Sequence, residues 1–84
     1  MSSTKFARRQ PVDWKSVGHR IRELRGYYTT QEEFAHRISI SQGYLSLMER
    51  GDVEIGAEIL LAIGQEFGKS MEWLLIGEKD SEKK

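Results

Sequence analysis

Apolar residues in this chain recur at spacings of three and four rather than in alternation, and polar residues and glycines divide the pattern into five segments. Trp14, Val17, Ile21 and Leu24 share one helical face and predict a first helix over residues 13–25, with Asp13 as its N-cap. Phe34, Ala35 and Ile38 mark a second helix, capped by Thr30 with Glu33 as its reciprocal partner. Leu45 and Met48 mark a third, opened by Ser41 and closed by Gly51, so only Ser39 and Ile40 remain to turn the chain between the two. Leu60, Ile63 and Phe67 predict a fourth helix over residues 57–67, stopped by Gly68; Ser70 then caps a short fifth over residues 71–76, which Gly77 ends. The expected fold is all-α, a five-helix domain over residues 13–77. A flexible basic arm at 1–12, carrying Lys5, Arg8 and Arg9, and a disordered charged tail at 78–84 are expected to flank it.

The stretch 31–51 is the most informative, because its two short helices meet across a gap that allows only a sharp corner. That is the pattern of a helix-turn-helix. Within it Gln31, Ala35, Ile40, Ser41, Leu45, Glu49 and Gly51 resemble the spaced pattern of the Cro/repressor-type (Xre) helix-turn-helix proteins. Residues 17–25 are similar to that family's first helix and residues 58–78 to its fourth and fifth, so the resemblance covers about residues 17–78.

The resemblance implies roles for individual residues. The third helix would lie in the major groove and present Gln42, Gly43, Ser46 and Leu47 to base edges, with Gln42 able to pair bidentately with adenine. Leu47 would meet a thymine methyl or mark a protein contact. Phosphate contacts are expected from Thr30 and Gln31 at the start of the second helix, and from Ser41, Tyr44 and Arg50. Arg25 and Glu49 would form a structural ion pair between the first and third helices. Met71, Trp73 and Ile76 would join two copies, giving a homodimer that spans two half-sites. The acidic residues Asp52 and Glu54 stand in a loop where a basic or amide side chain would favour phosphate, and so either weaken DNA binding or meet a protein.

Composition narrows the classes. The chain has 84 residues, which allows one small domain with little room for a catalytic cavity. Lacking cysteine, it has no thiolate chemistry, disulfide or cysteine-based metal site, and a reducing cytoplasm is expected. No apolar run approaches the length of a membrane span. Formal net charge is zero, but residues 1–50 hold nine Lys or Arg against five Asp or Glu (+4), and residues 51–84 hold four against eight (−4). A DNA reader in the first half would therefore present a basic face. Enzyme motifs fail on spacing: Gly68-Lys69-Ser70 lacks the earlier glycine of a phosphate loop, and His19 and His36 lie on different helices without a third metal ligand.

The expected function is that of a bacterial or phage transcription regulator, a repressor or autoregulator that binds double-stranded operator DNA as a homodimer. No cofactor, metal, membrane or small-molecule effector is called for. The alternative is a protein-interaction module on the same scaffold, antitoxin-like or adaptor.

Overall fold

A computed structural model describes residues 11–27 and 29–77. Five helices follow in order: α1 Trp14–Arg25, α2 Gln31–Arg37, α3 Gln42–Arg50, α4 Ala57–Phe67 and α5 Met71–Ile76, with no strand among the described residues. Lys5, Arg8 and Arg9 of the expected arm and the expected tail at 78–84 lie outside the described residues.

Side chains immediately before the helices set most of their starts. The Asp13 carboxylate accepts from the Lys15 and Ser16 backbone N–H groups and from the Ser16 hydroxyl at 2.9 Å. The Ser16 hydroxyl hydrogen bond, first among these contacts, holds that carboxyl below its usual range. Thr30 and Glu33 form a complete capping box, Thr30 Oγ1 accepting from Glu33 N at 3.0 Å and Glu33 Oε1 accepting from Thr30 N at 3.2 Å. Ser41 accepts from Tyr44 N, and Ser70 accepts from Trp73 N. Each cap satisfies a backbone donor that the first helical turn leaves without a partner, and is worth about 1 kcal/mol.

One boundary differs from the expectation. α2 ends at Arg37, so Ile38 lies outside the helix, and the corner takes three residues, 38–40, rather than two. Ser39 takes the left-handed conformation, φ 62°, the only non-glycine residue to do so among those described. The corner is held by local hydrogen bonds, Ser39 N to His36 O at 3.2 Å and Ile40 N to Ala35 O at 2.9 Å, while Ile38 remains buried below it.

The core is drawn from every helix. Val17, Ile21, Phe34, Leu45, Met48, Ile63 and Leu74 are fully buried, joined by Ile55 from the α3–α4 loop. A fully buried side chain of this size stabilises the fold by about 1.5–3 kcal/mol. The Phe34 ring stacks on half-buried Phe67, centroids 4.6 Å apart, and the Arg37 guanidinium lies 4.7 Å from the Phe67 centroid while pairing with Glu66 at 2.8 Å.

Two contacts of α1 orient the rest. Gly18 sits against the backbone of α3, where a Cβ would lie 2.6 Å from the Glu49 carbonyl oxygen and closer still to that of Met48. The first and third helices therefore touch backbone to backbone. Two residues further along, Arg20 reaches α5 and donates to the Leu74 and Leu75 carbonyls at 3.0 and 3.1 Å. Those carbonyls belong to the last turn of a six-residue helix and have no partner within it. Neither contact follows from periodicity, because each joins residues far apart in sequence.

Candidate nucleic-acid interface

The outer surface of α3 begins with exposed Gln42 and Gly43 and continues into half-buried Ser46 and Leu47, while Leu45, Met48 and Glu49 face inward. Gln42, Ser46 and Arg50 lie at i, i+4 and i+8 and form one stripe along the helix. Gly43 faces open space.

Glu49 is the one charged residue buried among those described. Arg25 grips its carboxylate with both arms, Nε to Oε2 at 2.7 Å and Nη2 to Oε1 at 2.9 Å, and spends its remaining Nη1 on the Thr29 carbonyl at 3.1 Å. The Glu49 hydrogen bonds hold the Arg25 guanidinium above its ordinary value, against the opposing effect of burial. The pair thus ties α1 to α3 and also fixes the approach to the Thr30 cap.

From the same carboxylate a chain of hydrogen bonds runs outward. Gln31 Nε2 donates to Glu49 Oε1 at 2.9 Å, and Gln42 Nε2 donates to Gln31 Oε1. The chemistry leaves no freedom in this order. A carboxylate only accepts, so the end of Gln31 that faces it must be the NH2 group; its carbonyl then faces Gln42, whose NH2 group must be the donor. Gln42 keeps one amide hydrogen and its Oε1 for an incoming partner. That is the donor–acceptor pair that matches adenine N7 and N6.

Gln31, expected at a phosphate, thus has its side chain turned inward as the prop for Gln42, leaving one amide hydrogen and its backbone N–H for an anion. Sequence reasoning missed this prop. Its signal was present in the two Gln at the starts of consecutive helices and the buried Glu in the third. Thr30 and Ser41 both accept from helix backbones through their hydroxyl oxygens, and each hydroxyl still has a proton to donate. Tyr44 is half-buried against the core. Arg50 pairs with Asp52 at 3.0 Å and donates to the Ser46 hydroxyl at 3.2 Å, so one of the two loop acids is matched by the cation expected at phosphate. On α5, away from this surface in the chain, Met71 and Trp73 are half-buried, and Ile76 is 58% exposed. Lys69 Nζ lies 4.7 Å from the Trp73 ring centroid.

Comparison with known proteins converges on one group. A family model described as helix-turn-helix matches residues 20–74. The propionyl-CoA carboxylase regulator of Cereibacter sphaeroides is 38% identical over 65 residues, which are 76% of this chain but only 14% of that protein. Among solved structures, the clp gene regulator ClgR of Corynebacterium glutamicum superposes with a TM-score of 0.69 at 31% identity, covering 82% of this chain and 74% of that one. The P22 c2 repressor, in complex with a synthetic operator, gives a TM-score of 0.68 at 30% identity over 74% of this chain and 96% of that one.

Proposed function

This chain belongs to the Cro/repressor-type helix-turn-helix family, and from that membership we propose that it regulates transcription by binding operator DNA as a homodimer. Repression or autoregulation by promoter occlusion is the mechanism of this reading. The reading is of a DNA-binding protein of the cytoplasm and not of an enzyme. A repressor of the same fold sits on a synthetic operator.

The observation that carries the reading is the relay from Glu49 through Gln31 to Gln42. A buried carboxylate that orients one amide, which orients a second at the exposed start of a helix, sets up a hydrogen-bonding pair before any ligand arrives. Binding then loses less side-chain entropy than a freely rotating glutamine would. Gln42 reads adenine; Gly43 admits the groove floor closely; Ser46 and Leu47 face the neighbouring bases, Leu47 with a methyl-sized apolar surface suited to thymine. Thr30, Gln31, Ser41, Tyr44 and Arg50 hold the flanking phosphates, while Met71, Trp73 and Ile76 meet the second copy. Arg25 and Glu49 are support.

Fluorescence anisotropy against duplexes tiled across the chain's own promoter, with a scrambled duplex as control, tests the reading. One tile should bind saturably and in preference to the scramble. Gln42→Ala should lower that preference by the ~1–3 kcal/mol of a bidentate base contact, roughly 5- to 150-fold, with little change on the scramble. Equal binding to every duplex by the unmodified protein refutes it.

A further inference from the structure

Beside the Gln31–Gln42 pair, α1, the start of α2 and α3 enclose a concavity of about 260 Å³ lined by Arg22, Arg25, Gln31, Ser46, Glu49 and Arg50. Three guanidinium groups stand around one carboxylate, so the lining is cationic. Their commitments differ. Arg25 gives three of its five N–H groups to Glu49 and Thr29, and Arg50 is shared between Asp52 and Ser46. The Arg22 side chain donates no hydrogen bond among the described residues; its Nε makes only a long ion pair, 4.0 Å, with Glu49 Oε1, and the side chain is 60% exposed. Both Glu49 oxygens already accept from Arg25 or Gln31, which leaves Arg22 as a cation held at the rim of the concavity without a dedicated anion.

We propose that Arg22 is a backbone anchor of the DNA interface, gripping one phosphate over this concavity together with the outer end of Arg50. The inference rests on the DNA-binding reading and deepens it. Neither the phosphate contacts assigned above nor the helix-turn-helix pattern includes a residue of α1. Gln42 and the concavity flank the same prop, Gln31, so a strand whose base meets Gln42 brings its backbone past Arg22. Arg50 can join because a surface pair such as Arg50–Asp52 is worth at most about 1 kcal/mol, and a phosphate offers a stronger acceptor than the Ser46 hydroxyl. The contact is to charge alone, so it fixes register and adds affinity without choosing sequence.

The test uses the full chain and a scrambled duplex, because a phosphate anchor acts on any sequence. Anisotropy titrations over a salt series compare the unmodified protein with Arg22→Ala and Arg22→Lys, with thermal melts alongside. The expected result is a log–log salt slope shallower by about 0.9 for Arg22→Ala, the loss of one phosphate contact. Its weakening should be similar on scrambled and preferred duplexes, the slope should recover in Arg22→Lys, and the melting temperature should not change. An unaltered slope in Arg22→Ala overturns the inference while the regulator reading stands, as does a loss confined to the preferred duplex. Absence of salt-sensitive binding by the unmodified protein overturns both.

Discussion

At the scale of single residues, Glu49 decides more than any side chain on the surface. Its carboxylate is 3% exposed, and the three hydrogen bonds it accepts come from α1 and α2. Glu49→Ala leaves the Arg25 guanidinium, 19% exposed, without its anion, and the expected loss is about 3–5 kcal/mol in urea denaturation. A loss no larger than that of a surface substitution would show that water replaces the carboxylate freely. Gly43 is the opposite case. It is a helical glycine facing open space, so Gly43→Ala should stabilise the protein by about 1 kcal/mol and raise its thermal midpoint by roughly 4–8 °C. A fall in midpoint would mean that the position is strained in a way the surrounding space does not explain.

At the scale of elements, α5 is the shortest helix and leans on another for its last turn. A six-residue helix is far too short to persist alone, and its last carbonyls are completed by Arg20 from α1. Arg20→Ala should therefore cost about 1–3 kcal/mol, and amide exchange should show the loss first in α5, ahead of α2 and α3. Uniform loss across the helices would argue that α5 unfolds only with the whole. The contrast between such contacts and the caps explains what the sequence discloses. Asp13, Thr30 with Glu33, Ser41 and Ser70 act on backbone groups two or three residues away, so their meaning is local and readable in order. Gly51 and Gly68 likewise announce helix ends. Arg20 acts across 54 residues and Gln31 on Glu49 across 18, and nothing in periodicity says that two such positions meet. Ile38 departs from the periodic pattern for a related reason: its spacing from Phe34 fits a helix, but the corner needs a left-handed residue immediately after it, and a serine takes the place where a glycine would signal the turn. The outward face of α3 was legible; the prop behind Gln42 was not.

At the scale of the whole molecule, α1 joins the proposed DNA surface on α3 to the proposed dimer surface on α5. Through Gly18 it meets the α3 backbone with no side chain between, and through Arg20 it binds the end of α5, where Ile76 stands exposed. Direct backbone contact leaves no layer of side chains to slide between α1 and α3, and the two Arg20 hydrogen bonds tie the end of α5 to the same helix. The net charges of the two halves, +4 over residues 1–50 and −4 over residues 51–84, favour the same orientation toward DNA. In the proposed homodimer joined through α5, each α3 would stand at a set distance and angle from the two-fold axis, and the pair would work as a gauge. One base pair inserted between half-sites rotates the second by about 35° around the duplex. Gel-shift titrations on operators with graded spacers should show tight binding lost after a half-turn insertion, with the second half-site facing away. Undiminished binding at every spacer would mean that the two copies are joined by a hinge, and that this protein tolerates operators it is built to reject.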